Sequence, residues 1–200
     1  MPAEDGSMKI GVLALQGAFA EHIAVMERLK VDAVPVRLPH QLEGLDGLII
    51  PGGESTTITK LMANYKLTDK ISRLAKADFP IFGTCAGMIV LASEITHDGK
   101  VKPTGIMAIT VNRNAFGRQV DSFETELSIP ALGTKLFTGV FIRAPYIESV
   151  GKGVEVLAKL KNGTIVAARQ GKLLVCAFHP ELTDDLRFHR YFLDIVSGKK

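Results

Sequence analysis

In the first half of the chain, short apolar runs alternate with stretches of helical period. Residues 10–15 form an uncharged run, the pattern of a strand buried on both faces. After a turn at Gln16-Gly17, Ala18, His22, Val25, Met26 and Leu29 recur near helical spacing. His22 falls inside that series, which predicts a partly buried or interface histidine rather than a catalytic one. Residues 33–38 read as a second strand, and Pro35 within it predicts an edge position. Residues 46–50 read as a third, ending in Pro51-Gly52-Gly53-Glu54-Ser55-Thr56. Ser55 and Thr56 are the predicted N-caps of a helix through Ile58, Leu61 and Met62. A further helix over 69–76 leads into a fourth apolar strand over 79–84. This alternation predicts an α/β fold with a doubly wound, mostly parallel sheet, whose ligands bind beyond the carboxyl ends of the strands.

The second half changes character. Residues 106–111, 124–129, 136–142, 154–160 and 164–168 read as strands separated by turn residues, some alternating as half-exposed antiparallel strands do. Residues 173–178 form one more apolar strand, and 184–196 a closing helix with Asp184-Asp185 at its start and Gly198 at its end. No repeat, low-complexity tract or linker divides the chain, so residues 8–200 are expected to form one domain. Residues 1–7 are polar and precede a second methionine, Met8, as an N-terminal extension or tag remnant would.

Composition narrows the function classes. With 46% hydrophobic and 22% charged residues among 200, the chain can bury a full core. A net charge of +3, with no basic block beyond Lys199-Lys200, gives no footprint for nucleic acid. No apolar run approaches the ~20 residues of a membrane span. The two cysteines do not make a disulfide framework, which points to the cytoplasm, where a thiol stays reduced.

The chemistry concentrates at two strand ends. Cys85 follows a strand and precedes a helix, with Gly83 and Gly87 at i−2 and i+2. That is the nucleophile-elbow spacing with sulfur in place of the serine oxygen. Cys176 lies inside an apolar run and is expected to be buried and inert. His179-Pro180-Glu181 ends the later strand: His179 would move the proton, and Glu181 would fix the tautomer and orientation of its ring. A thiolate is favoured by a helix N-terminus and a neighbouring imidazolium. The N–H groups of Gly53 and Ala86 are the candidate oxyanion donors. No cofactor and no metal is expected.

These residues resemble triad (class I) glutamine amidotransferase domains, which share a flavodoxin-like sheet and a Cys-His-Glu triad with the last two in His-x-Glu. The blocks GVLALQGAFAEH (11–22), PGGEST (51–56), GTCAGM (83–88), NRNAFGRQ (112–119) and FIRAP (141–145) are similar to the branch that serves pyridoxal 5'-phosphate synthesis, and the resemblance runs from about Met8 to Ser197. It implies a flavodoxin-like doubly wound sheet with helices on both faces and antiparallel strands added in the second half. It also implies hydrolysis of L-glutamine to glutamate and ammonia through a cysteinyl thioester, with Cys85 as nucleophile and His179 and Glu181 completing the triad. Gly52, Gly53, Glu54, Arg113, Ile142 and Arg143 would hold glutamine. The ammonia would pass to a (β/α)8-barrel pyridoxal 5'-phosphate synthase subunit. Docking of that subunit would reorient a peptide of the glycine loop, and the docking face would include Ala18, Glu21 and His22 of the first helix. Glutamine carries an α-carboxylate and an α-ammonium, so a buried site needs opposite charges near each. Arg113 and Arg143 are both candidates for the carboxylate, and Glu54 for the ammonium or for ordering the glycine loop. Two other classes fit these residues less well. A hydrolase or glyoxalase/chaperone of the related DJ-1 type shares the cysteine turn but not His179-Pro180-Glu181 together with the glycine block. A non-enzymatic binding subunit would be marked by a lost triad member, and all three are present.

Overall fold

The computed structural model describes residues 8–96, 99–113 and 122–200. Residues 1–7, and all of the 112–119 block beyond Arg113, lie outside them. In chain order the strands are β1 (Lys9–Leu13), β2 (Asp32–Val36), β3 (Gly47–Ile50), β4 (Ile81–Thr84), β5 (Ala92–Thr96), β6 (Met107–Asn112), β7 (Ser122–Leu127), β8 (Phe137–Ile142), β9 (Tyr146–Val150), β10 (Glu155–Lys159), β11 (Ile165–Gln170) and β12 (Leu173–Cys176). The helices are α1 (Phe19–Arg28), α2 (Ser55–Asn64), α3 (Leu67–Lys76), α4 (Ala86–Leu91) and α5 (Arg187–Val196).

The order β2-β1-β3-β4-β12 is parallel throughout, the doubly wound arrangement expected from the alternation of strands and helices. β1, β3, β4 and β12 are almost wholly buried, as their uncharged runs require. β2 is the edge strand, so Pro35 costs no second ladder. Beyond β12 the sheet continues through β11, β9, β6 and β5. β10 pairs antiparallel with β11, and β7 and β8 form a separate antiparallel hairpin.

Two strands escaped the periodicity. β5 follows α4 without a break in the apolar pattern, and its Ser93 and Glu94 are exposed. It pairs parallel with β6, so not every strand of the second half is antiparallel. β9 has adjacent exposed residues, Glu148 and Ser149, and so lacks clean alternation. Three helix starts also differ, α3 beginning at Leu67 rather than at 69. Glu54, not Ser55 or Thr56, caps α2: its carboxylate accepts from Thr56 N–H at 3.0 Å and Thr57 N–H at 2.7 Å, satisfying two orphan donors at once. α5 begins at Arg187 rather than at 184, after Asp185 Oδ1 accepts its N–H at 3.1 Å. At the other end Gly198 has φ 70°, Gly198 N–H donates to Ile195 and Lys199 N–H to Asp194, a Schellman closure.

An aromatic cluster fixes the segment after β12. Phe82 of β4 lies 5.6 Å from Phe188 and 5.5 Å from Phe192 of α5. Phe178 packs edge-on against Phe188 at 5.2 Å and lies 5.6 Å from Phe137 of β8. All five rings are fully buried. His179 N–H donates to the Val140 carbonyl at 2.8 Å, so the β7–β8 hairpin docks on the same segment. α1 and α5 meet through a His22–His189 contact, while α2 packs on α3 and α4.

Truncating Phe188 to Ala should therefore destabilise the fold by about 3–5 kcal/mol in chemical denaturation. A loss below about 1 kcal/mol would mean that the cluster does not hold this segment.

Candidate active site

β4 ends in a strained turn. Cys85 has φ 49° and ψ −104°, outside the conformations a residue with a Cβ readily adopts, and α4 begins at the next residue. Its N–H donates to the Cys176 carbonyl at 2.8 Å, which ties the turn to β12. On the other side Gly87 lets the first turn of α4 approach β3, because a Cβ there would overlap the Ile50 carbonyl oxygen. Cys85 is 6% exposed and opens on a cavity of about 600 Å³.

His179 reaches the same cavity from the end of the Phe178 segment. Its Nδ1 lies 2.6 Å from Glu181 Oε1. A short 3-10 turn, Pro180–Leu182, folds Glu181 back beneath the ring, with Leu182 N–H donating to the His179 carbonyl at 3.2 Å. Burial alone would lower the His179 pKa. Side-chain hydrogen bonds to Cys85 and to Glu181, with their negative charges, outweigh it and push the value to about 10. With Nδ1 engaged by Glu181, Nε2 is the ring nitrogen left for Cys85.

The glycine loop forms the facing wall. Gly52 N–H donates to Thr84 Oγ1 at 3.1 Å, and the Gly52 carbonyl accepts Ala18 N–H at 3.0 Å. A Cβ on Gly52 would stand 2.5 Å from His179 Cε1, so the imidazole lies directly against the loop backbone. Gln16 Oε1 accepts Glu54 N–H at 2.7 Å. Glu54 Oε1 accepts from Thr56 N–H and from Arg113 Nη2 at 2.7 Å, and Oε2 from the Thr57 N–H and hydroxyl. Burial acts against its ionisation, but the Thr57 and Thr56 hydrogen bonds hold its carboxyl at about 2. Both oxygens are engaged, and Glu54 joins the start of α2 to Arg113.

Gly52, Gly53, Glu54, Cys85, Ala86, Arg113, Ile142, Arg143 and His179 all line the cavity. Glu181 does not: it is buried behind His179. Arg143 is held at φ 42° directly after β8. A larger cavity, about 840 Å³, lies among α2, α3 and Lys100–Thr104, remote from the cysteine and the histidine. Cys176 is fully buried, burial raises its thiol pKa well above the usual value, and its sulfur contacts the Phe178 carbonyl. Among the described residues no group of three or more His, Cys, Asp or Glu side chains is placed to hold a metal ion.

Several participants are not evident from residue type alone. Gln16, Gly17, Ser55 and Ile89 also line the cavity. Gln16 was placed in the sequence only as part of a turn and of the 11–22 block. His22 differs from expectation. It is fully buried, 2.9 Å from His189 and 3.2 Å from Thr84, and cannot belong to an outward docking face. The helical series that contains it is the inner face of α1, and α5 closes over it.

A strand-end cysteine, a histidine and a buried carboxylate thus lie together at the carboxyl ends of a doubly wound, flavodoxin-like sheet. The chain belongs to the SNO glutamine amidotransferase family, which matches residues 12–197. It is 57% identical over 194 residues to the pyridoxal 5'-phosphate synthase subunit PdxT of Dehalococcoides mccartyi, covering 96% of this chain and 100% of that one. It is 58% identical over 191 residues to the subunit of the same name from Herpetosiphon aurantiacus, covering 94% and 100%. A crystal structure of a glutamine amidotransferase superposes with a TM-score of 0.89 at 50% identity, covering 94% of this chain and 98% of that one. PurLQS from Thermotoga maritima shares the fold at a TM-score of 0.71 and 15% identity, over 97% of this chain and 100% of that one.

The paired proton gives a spectroscopic prediction. In the wild type the His179 ring should titrate near pH 10 by NMR. Cys85→Ala removes one of the two partners that raise it, so the midpoint should fall by about one unit or more. An unchanged midpoint would show that the thiol does not share the histidine's proton.

Proposed function

We propose that this chain is the glutaminase subunit of a pyridoxal 5'-phosphate synthase, hydrolysing L-glutamine and handing the ammonia to a (β/α)8-barrel synthase subunit. The 2.6 Å His179–Glu181 contact directly behind the strained Cys85 carries this assignment. Cys85 gives its proton to His179 and attacks the side-chain amide carbon of glutamine as thiolate. The carbonyl electrons move to oxygen, where the N–H groups of Gly53 and Ala86 are the assigned donors. One such donor is worth roughly 2.7–4 kcal/mol of barrier. His179 protonates the leaving nitrogen, the C–N bond breaks and ammonia departs, leaving a glutamyl thioester. Water then attacks the thioester as His179 takes its proton. Glutamate leaves and the thiol is restored. Glu181 orients His179 and stabilises the imidazolium.

Gly52, Gly53 and Glu54 on one side and Ile142 and Arg143 on the other are assigned to hold the substrate. Arg113, held by Glu54, and Arg143 supply the positive charge for the α-carboxylate. No cofactor or metal takes part, and the partner surface is protein, with neither nucleic acid nor a membrane involved. Among the described residues no helix is long and apolar enough to cross a bilayer. The need for a reduced thiol places the activity in the cytoplasm.

The synthase docks on the outward face of α1, which carries exposed Glu21. Ala18 N–H at the start of that helix holds the Gly52 carbonyl, so the orientation of the Gly52–Gly53 peptide depends on where α1 begins. Docking there can rotate the peptide and aim the Gly53 N–H.

Ammonia release from glutamine, with and without a synthase subunit, tests the assignment. The synthase should raise kcat/KM by about tenfold or more, a single completed oxyanion donor being sufficient. Glu21→Lys should weaken binding and stimulation together while leaving Tm unchanged. No ammonia release with any synthase would refute the glutaminase assignment. Full activity that added synthase does not alter would refute its dependence on docking.

A further inference from the structure

Behind the triad lies a buried polar group that the hydrolysis above does not use. His22 on the inner face of α1, Thr84 at the end of β4 and His189 on α5 are all fully buried, and none lines the cavity. His22 Nδ1 is 2.9 Å from His189 Nε2. His22 Nε2 is 3.2 Å from Thr84 Oγ1 and 3.4 Å from Glu181 Oε2. Thr84 Oγ1 also accepts the Gly52 N–H at 3.1 Å. One imidazole therefore touches both the acid of the triad and, through one hydroxyl, the glycine loop.

The proton inventory fixes how that imidazole is used. Burial, with the charges of His189 and His179 added, lowers the His22 pKa well below its ordinary value, and burial holds His189 at about 3. Both rings are neutral, so each has one N–H and one bare nitrogen. Among the described residues, Glu181 Oε2 and His189 Nδ1 have no hydrogen-bond partner. A proton on His22 Nδ1 would donate to His189 Nε2 and force the His189 proton onto Nδ1, where nothing accepts it. His22 Nε2 would then face the Glu181 carboxylate lone pair to lone pair. The opposite assignment has His189 Nε2–H donating to His22 Nδ1, and His22 Nε2–H directed between Thr84 Oγ1 and Glu181 Oε2. It leaves a bare ring nitrogen unpaired and the Thr84 hydroxyl proton without an acceptor among these groups, whereas the first assignment leaves a buried N–H without an acceptor and in addition sets a bare nitrogen against the carboxylate oxygen, the costlier arrangement.

We infer that His22 is a positioning residue, whose Nε2–H holds the inner oxygen of Glu181 and the Thr84 hydroxyl together and so keeps the triad acid and the glycine loop in one register. His189 acts through it by fixing its tautomer. The assignment rests on the Cys85–His179–Glu181 hydrolysis proposed above. The 3.4 Å contact to Glu181 is long and tightens as positive charge forms on His179 and draws the carboxylate into line. α1 then serves two sides at once: Glu21 faces outward toward the synthase, and the next residue supports the triad from within.

The test measures ammonia release with saturating synthase subunit for wild type, His22→Gln, His22→Asn and Cys85→Ala. The Gln amide reaches the position of the histidine Nε2, whereas the Asn amide stops at that of Nδ1. His22→Asn should lower kcat about 10–100-fold, the penalty for a sub-ångström loss of alignment. Its KM for glutamine should stay within about twofold, since His22 does not touch the substrate. His22→Gln should recover kcat to within about threefold of wild type. Equal kcat in the two variants, or a loss carried in KM, would overturn the inference while leaving an inactive Cys85→Ala, and so the triad, intact. An active Cys85→Ala would overturn the triad itself. If either His22 variant fails to fold, the Thr84→Val and Thr84→Ser pair decides. Val keeps the volume without the hydroxyl and should lower kcat about tenfold, while Ser stays near wild type. Wild-type kcat in Thr84→Val would overturn the inference.

Discussion

The parallel register between β4 and β12 is the constraint on which the site depends. Thr84 lies opposite Cys176, so the chain leaves β4 at Cys85 beside the place where it leaves β12 toward His179. The Cys85 N–H to Cys176 carbonyl bond locks that alignment. A slip of one residue would turn every side chain of the strand to the other face. It would carry the thiol away from the imidazole and lose the rings that pack on both strand ends. The site therefore needs no long loop to bring Cys85 and His179 together: two buried strands and their register are sufficient.

Around that register the charges are arranged economically. Cys85 and Glu181 flank His179 and raise its pKa, and the only hydrogen bond of Glu181 among the described residues is to that ring. At the exposed rim Glu54 pairs with Arg113 at 2.7 Å. Beneath, two neutral histidines take the place of a second cation, which a fully buried position would make costly. Cys85 is one of five non-glycine residues held at positive φ among the described residues, and it is tied down by its N–H bond to the Cys176 carbonyl.

Much of this was legible in the sequence because its causes are local. A strand buried on both faces has no charges, so β1, β3, β4 and β12 stand out. The strained turn is written in Gly83, Cys85 and Gly87, and the His179–Glu181 contact in a single tripeptide. The predicted edge position of β2 followed from Pro35 alone. What was not legible depends on reach or on distant partners. Ser55 and Thr56 have the composition of caps, but the longer carboxylate of Glu54 captures two donors, which only geometry reveals. β9 lacks alternation because it runs between two strands with Glu148 and Ser149 exposed. His22 and His189 are 167 residues apart, and nothing local in either helix announces their meeting. His22 matched the helical period, so its place in the inner series was visible while its chemistry was not.

The central claim is that Cys85 alone forms the covalent intermediate, because the β4–β12 register and the elbow give only that thiol a base, a cavity and a helix N-terminus. Acid quenching of the protein during turnover of isotope-labelled glutamine, with the synthase subunit present, followed by peptide mass mapping, reads this directly. A glutamyl thioester on the peptide containing Cys85, with the Cys176 peptide unmodified, is the expected result. Label on Cys176, or turnover with no adduct at Cys85 under conditions that trap a thioester, would contradict it.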